Sequence, residues 1–405
     1  MRQIQAISAN TYFTANIMKE IAYFSYDENH EFHLDDRSIS YYYPARVPVN
    51  LCEGFENFKS YDPGNEHLIS LLQTVIAHEE KTGVKTDTDV ITWRGMMTKL
   101  MAAPYNDRDG FEMNATFYQG TVYIEENYEY RKNSQQRQMQ QPTQTGRPSQ
   151  QMMTYWGYKF ETLSVLPDTW EKCSRQMIEG REKKTVTNAA QYCSIASLGI
   201  GGTSLVIGGE VDALWEPKPD DPSDPKIQWV ELKTSLDPRL QRSDQAFEKK
   251  LLKFWLQSFL LAVPKIIVGF RDHDGILRTI QEIQTHSIPG RVKKPNGRSE
   301  WDGDVAVNFG ANILRFIKKT VVGDGVWRIR KRENGREIEI FKIEEAGHGK
   351  VLTDEFINHR IKLSMRSSAK DTEFSGKEAE NPKTSEASFS EDDAKEGGVS
   401  VLEQQ

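Results

Sequence analysis

A mixed α/β (α+β) body, with central mixed, twisted β-sheets flanked by helices, is what this sequence predicts. Three observations carry it. Short β-branched and apolar runs recur along the chain, stretches with apolar residues three and four apart alternate with them, and eight Trp, fifteen Tyr and eighteen Phe supply a large core.

In chain order, the first helical pattern is Glu66 to Thr82, followed by a β-branched strand run at Val90 to Trp93 and a second helix at Arg94 to Met101. Gly120 to Glu125 alternates as a half-buried strand does. An aromatic strand run, Tyr155 to Glu161, and a helical pattern at Asp168 to Thr187 come next. Two strand runs, Ser204 to Leu214 and Gln228 to Ser235, precede a helix at Asp244 to Val263. Lys265 to Phe270, Val305 to Phe309, Val326 to Arg330 and Arg336 to Ile343 complete the strands. Gly199 to Thr203 lacks the spacing of a dinucleotide-binding loop and leads into a strand rather than a helix, which excludes that reading.

Two polar segments interrupt this pattern. Arg131 to Gln151 is Gln-rich, nearly without apolar residues, and reads as a flexible loop. Residues 366–405 read as a disordered acidic tail, leaving residues 1–365 as a single catalytic domain. From Lys370 onward the tail carries four Lys and ten acids, a charge of −6 out of the net −7, so the rest of the chain is close to neutral. Local basic clusters stand out on that background: Arg239/Arg242, Lys249/Lys250/Lys253, Arg291/Lys293/Lys294/Arg298 and Arg328/Arg330/Lys331/Arg332. A near-neutral body with such clusters remains compatible with binding a phosphate backbone.

The three cysteines, Cys52, Cys173 and Cys193, are scattered and form no zinc spacing, and His30/His33 is an isolated pair in a polar stretch. No apolar run reaches membrane length and the first residues lack a signal-peptide core, so the expectation is a soluble intracellular protein that engages no membrane.

The chemistry lies in two strand runs. On a strand, residues i and i+2 share a face, so Glu210 and Asp212 stand side by side on an otherwise apolar segment. Burial and like charge oppose their ionisation unless a cation neutralises them. In Gln228 to Ser235, Glu231 and Lys233 also share a face. The Pro- and Asp-rich connection Glu216 to Lys226 suits a long hairpin, which would bring all four together. Three carboxylates and an ammonium suit Mg²⁺ or Mn²⁺ beside a phosphate, because oxygen ligands favour hard cations. An alternative is a salt-bridge ladder across the hairpin. The ExD and ExK strands together resemble a PD-(D/E)xK nuclease core.

Further segments extend the resemblance. Ile91 to Leu100 followed by Ala103-Pro104-Tyr105, Gly157 to Glu161, Gly209 to Asp212, Val230 to Lys233, and Lys253 to Gln257 running to Asp272 occur in the order found in the DXO/Rai decapping and pyrophosphohydrolase nucleases. The chain resembles that family over Ser8 to Leu363. The resemblance implies that Glu161, Asp212 and Glu231, with the Leu232 carbonyl, hold one divalent ion. Glu210 and Asp212 hold a second, giving two Mg²⁺ or Mn²⁺ in all. It implies that Lys233 and Gln257 position the attacking water or the phosphate and that Arg94 contacts the RNA 5′ region. Each of three residues also has a plainer role: Arg94 as a salt-bridge residue at a strand-to-helix junction, Gln257 at a helix boundary, and Glu161 facing solvent.

For function the resemblance implies hydrolysis at RNA 5′ ends: pyrophosphate release from 5′-triphosphate RNA and removal of incomplete or NAD-type caps, leaving a 5′-monophosphate. It also implies a nuclear location and a nuclear 5′–3′ exoribonuclease as partner. A non-catalytic exoribonuclease cofactor and a PD-(D/E)xK-type nuclease with its own exonuclease activity are the alternatives.

Overall fold

The computed structural model of the protein describes residues 19–62, 64–140, 148–220, 227–240, 245–294 and 299–378. Arg242, Arg298, residues 221–226 of the hairpin connection and the tail beyond 378 lie outside them.

The strands in chain order are β1 (Lys19–Tyr26), β2 (Phe32–His33), β3 (Tyr41–Tyr42), β4 (Val49–Asn50), β5 (Val90–Trp93), β6 (Phe111–Tyr118), β7 (Thr121–Glu126) and β8 (Val165–Leu166). They continue as β9 (Gln191–Ile200), β10 (Thr203–Glu210), β11 (Ala213–Leu214), β12 (Trp229–Leu236), β13 (Lys265–Arg271), β14 (Ile276–Gln284), β15 (Val326–Lys331) and β16 (Ile338–Glu344). The helices are α1 (Ile69–Thr82), α2 (Arg94–Ala102), α3 (Tyr128–Gln140), α4 (Gln150–Ser164), α5 (Arg175–Glu179), α6 (Gln245–Leu260), α7 (Ile288–Val292), α8 (Gly303–Thr320) and α9 (Asp354–Glu378).

Two mixed sheets form the body. One has nine strands in the order β16-β15-β6-β7-β5-β10-β9-β1-β2, the other seven in the order β4-β14-β13-β12-β11-β3-β8. The mixed class expected from the sequence is therefore what the chain adopts. A large core cluster gathers both sheets around α2, α6 and α8, for instance Met97, Leu100, Ile207, Leu256, Val268 and Leu314. A smaller one packs Tyr155, Trp156 and Phe160 of α4 onto Val230, Leu232 and Ile267 of the seven-stranded sheet. Contiguous apolar burial of this kind is the main force holding the layers together.

The structure corrects four expectations. Val305 to Phe309 lies in α8, not in a strand. The five residues alternate locally, but Ala306, Gly310, Ala311, Ile313, Leu314 and Ile317 are buried at helical spacing, and the Asp302 carboxylate accepts from the Asp304 and Val305 amides as an N-cap. Tyr155 to Glu161 is also helical. Ser149 caps α4 by accepting from the Met152 amide, and Tyr155, Trp156, Lys159, Phe160 and Leu163 form its buried stripe. The loop expected at Arg131 to Gln151 is helix to Gln140 and again from Gln150, in keeping with the good helix propensity of Gln, Arg and Lys. Residues 141–147 lie outside the described set. Of Asp168 to Thr187, only Arg175–Glu179 and a following 3₁₀ turn are helical.

The body runs to His359, and Arg360 begins a second unit. Within that unit, residues 360–378 are the remainder of α9, so the boundary expected at 365 falls inside a helix. No helix among the described residues is long and apolar enough to cross a membrane.

Candidate active site

The expected Glu210–Glu231 hairpin is not one sheet folding on itself. β10 ends at Glu210 paired with β9 and β5 in the nine-stranded sheet, whereas β11 pairs with β12 in the seven-stranded sheet, with Ala213 opposite Val230 and Leu214 opposite Trp229. Val211 and Asp212 carry the chain from one sheet to the other. β11 covers only the start of β12, which leaves the β12 edge open beyond Val230. Asp212 fills the first open position by accepting the Leu232 amide at 2.6 Å. The N–H and C=O of one strand residue face the same edge, so the Leu232 carbonyl is turned toward this gap as well.

Four elements project carboxylates around the gap: Glu161 from α4, Glu210 from the end of β10, Asp212 from the crossover and Glu231 from β12. Glu231 is fully buried and the other three are half-buried. Arg94, the first residue of α2, bridges the two sheets by donating from Nη1 to Glu231 Oε2 at 2.9 Å. Lys233 Nζ donates to the other oxygen, Oε1. The plain salt-bridge role considered for Arg94 is thus present, but it is made to a site carboxylate.

Close backbone approach makes this bridge possible. Gly208 pairs with Trp93 across the parallel β10–β5 ladder. A Cβ on Gly208 would lie 2.7 Å from the Trp93 ring, and one on Gly209 would lie 2.8 Å from Leu261 Cδ1 and 3.0 Å from Arg94 Cβ. Two glycines before Glu210 let the Trp93–Arg94 junction pass directly over the strand.

The carboxylates divide into two electrostatic classes. Burial opposes the charge on Glu231, but Arg94 and Lys233 outweigh it and hold the group down at about 2. Burial, followed by Asp212 and Glu210, pushes Glu161 well above the usual carboxylate range. Burial, then Asp212, raises Glu210 to about 7, and burial, then Glu231, raises Asp212 to about 6. Partial burial opposes the charge on half-buried Lys233 too, yet Glu231 and Asp212 push its ammonium up and keep it charged. Three half-buried acids that resist ionisation, beside an open strand edge, are a site short of positive charge. The donor set is all oxygen and suits a hard divalent cation.

Gln257, half-buried on α6, lines a cavity with Gly95, the neighbour of Arg94, and stands one turn before Leu261, whose side chain lies close to Gly209. Two residues to which the sequence reading gave no site role belong to the walls. Burial, then Glu210 and Glu161, pushes the Tyr158 hydroxyl up to about 12. Burial, then Glu210, pushes the Cys193 thiol well up. Once α4 is recognised as a helix, Tyr158 stands one turn before Glu161 and is found by spacing. Cys193 sits opposite Glu210 in the β9–β10 ladder, which no local pattern reveals.

His30 and His33 do not act together. His30 stacks between Tyr26 and Tyr61 and contacts the Ala189 carbonyl and Glu66, whereas His33 pairs with Asp27.

Comparison with known proteins gives concordant results. A family model described as RAI1-like PD-(D/E)XK nuclease matches residues 18–357. The chain is 52% identical over 356 residues to the decapping nuclease RAI1 of Neurospora crassa, covering 88% of this chain and 85% of that protein. Among solved structures it resembles Candida albicans Rai1 in complex with pU5 and Mn²⁺, with TM-score 0.78, 30% identity, and coverage of 86% of this chain and 96% of the other. It also resembles Scheffersomyces stipitis Rai1 in complex with (3′-NADP)⁺ and calcium ion, with TM-score 0.76, 29% identity, and coverage of 89% and 100%.

Proposed function

The chain belongs to the RAI1-like PD-(D/E)XK nuclease family, and from that premise we propose that it is a divalent-metal-dependent hydrolase of RNA 5′ ends. Its substrates are 5′-triphosphate RNA and RNA with incomplete (unmethylated guanosine) or NAD-type caps. Water adds to the RNA-proximal phosphorus and the bond to the distal group breaks. Triphosphate RNA and water thus give pyrophosphate and 5′-monophosphate RNA. Supporting the reading are the named decapping relatives and the solved relatives holding pU5 with Mn²⁺ and (3′-NADP)⁺ with calcium. The observation that carries it is the convergence of Glu161, Glu210, Asp212 and Glu231 with Arg94 and Lys233 at the open edge of β12.

Glu161, Asp212 and Glu231 with the Leu232 carbonyl would hold one Mg²⁺ or Mn²⁺, and Glu210 with Asp212 a second. Bound there, such ions supply charge neutralisation at a phosphate and lower the pKa of water. The protein's own groups do the rest. Arg94 fixes Glu231 from across the sheets and presents a cation to the RNA 5′ region. Lys233 remains an ammonium, so it orients water or phosphate rather than removing a proton. Gln257 contributes a neutral amide that donates to a phosphate oxygen or accepts from the water.

The test is a product assay on triphosphorylated RNA with Mn²⁺. Asp212→Ala and Glu231→Ala abolish pyrophosphate release while the far-ultraviolet circular dichroism stays native, and full activity in either variant refutes the site. Binding and stimulation of the nuclear 5′–3′ exoribonuclease, and a nuclear location, rest on the motif resemblance alone.

A further inference from the structure

Helix α6 buries Phe247, Leu251, Leu252, Trp255, Leu256 and Leu260. Outside that stripe, Lys250, Lys253 and Gln257 stand at i, i+3 and i+7 and share one face. Gln257 is the end near the active site, and the two lysines lead away from it, both exposed. Lys253 and Gln257, together with Gly95 and Lys99 of α2, line a cavity of about 230 Å³. Lys250 continues the row, its Nζ donating to Ser235 Oγ at 3.3 Å. Ser235 lies on the same face of β12 as Glu231 and Lys233, so the row on the helix and the row on the strand run together.

The row is short of counter-charge. Among the described residues Lys250 forms no ion pair with a carboxylate. Lys253 pairs, among the described residues, only with Asp109, at 3.6 Å, and both side chains of that pair are more than half exposed. Cations aligned beside a site without matching acids attract an extended polyanion. The helical rise sets Lys253 about 6 Å and Lys250 about 10 Å along the axis from Gln257, which suits successive phosphates of one strand better than a single compact anion.

We propose that Lys253 and Lys250 bind the phosphodiester backbone of the RNA strand that follows the reacting 5′ phosphate. The inference rests on the 5′-end reading above and extends it: the site would favour polynucleotides over free nucleotides because of this row.

Steady-state hydrolysis of a long triphosphorylated RNA and of a triphosphorylated dinucleotide tests it in the Lys250→Ala/Lys253→Ala double variant. The expected result is a KM for the long RNA raised about tenfold or more, with kcat kept. The salt dependence of log KM should be shallower by about 0.7 per lysine lost. The dinucleotide should react as in the wild type, and Lys250→Arg/Lys253→Arg should restore the long-RNA KM. An equal loss on both substrates, or no change on either, overturns the inference. Affinity for a 5′-monophosphorylated oligoribonucleotide, read by fluorescence anisotropy, separates the two claims. If the wild type hydrolyses neither substrate but the double variant binds this probe more weakly, the 5′-end reading falls and the backbone row stands. Unchanged binding overturns the row.

Discussion

Two clusters of acids in this molecule look alike in composition and differ in physics. At Asp27, Glu31 and His33, one ligand atom from each residue lies within 4.8 Å of the others, closely enough to hold a metal ion. Yet its charges are already answered. The Asp27 carboxylate accepts from the Asn29 and Glu31 amides and from His33 Nε2, and these bonds hold its pKa down. At the β12 edge, Glu161, Glu210 and Asp212 are pushed up instead, and among the described residues Asp212 alone of the three accepts a hydrogen bond, from the Leu232 amide. Tight spacing of acids therefore does not identify a metal site. Burial without internal compensation is the stronger sign, because it is relieved by uptake of a proton or of an added cation.

The strongest way to break this comparison is to remove Arg94. Arg94→Met leaves Glu231 buried with Lys233 as its one remaining cation. Loss of one partner from a buried pair costs about 3 kcal/mol, read as a lower midpoint in urea. Activity on triphosphorylated RNA falls by about a hundredfold or more, since positioning at the reacting centre is lost with it. A variant with wild-type midpoint and activity contradicts the cross-sheet role.

The metal increment sharpens the contrast. Glu210 and Asp212 have folded-state values of about 7 and about 6, above those of an unfolded chain. The folded state then holds more protons than the unfolded one between about pH 4 and 7, so these groups lower stability as pH rises through that window. A divalent ion binds their ionised forms and displaces those protons. Mn²⁺ at a hundredfold excess over its pH 7.5 Kd should stabilise by about 2.7 kcal/mol at that pH, and the same concentration should raise Tm less at pH 5.5. Asp212→Asn should lose most of that gain. A Tm increment independent of pH in the wild type contradicts the account.

The smallest effect is expected at the other cluster. Asp27→Asn removes the charge from a half-buried carboxylate whose hydrogen bonds are all local, so the Mn²⁺-dependent Tm increment and the hydrolytic rate should both match the wild type. A reduced Mn²⁺ increment in this variant would mean that the two clusters are less different than their burial implies.

Much of the site can be read along the chain. Glu210, Glu231 and Lys233 fall on strands, as their period of two suggests, and Arg94 and Gln257 sit where a strand-to-helix junction and a helix were expected, whereas Asp212, expected on the same strand as Glu210, lies in the crossover between the sheets. Glu161 was expected on a strand because Tyr158 and Phe160 alternate, but the fifteen-residue helix α4 wins through its Ser149 cap and a buried stripe longer than the alternating window. The same competition between a short window and a long one misplaced Val305 to Phe309.

Residue identity and local period determined which acids stand as candidates, because an acid flanked by apolar β-formers is costly wherever it is buried. What they could not determine is that Glu210 ends in one sheet and Asp212 opens onto the other, or that Arg94 spans 137 positions of sequence to reach Glu231. Those relations depend on which strands pair and how closely Gly208 and Gly209 let α2 approach. Pairing between distant strands is settled by packing of the whole core rather than by any local pattern.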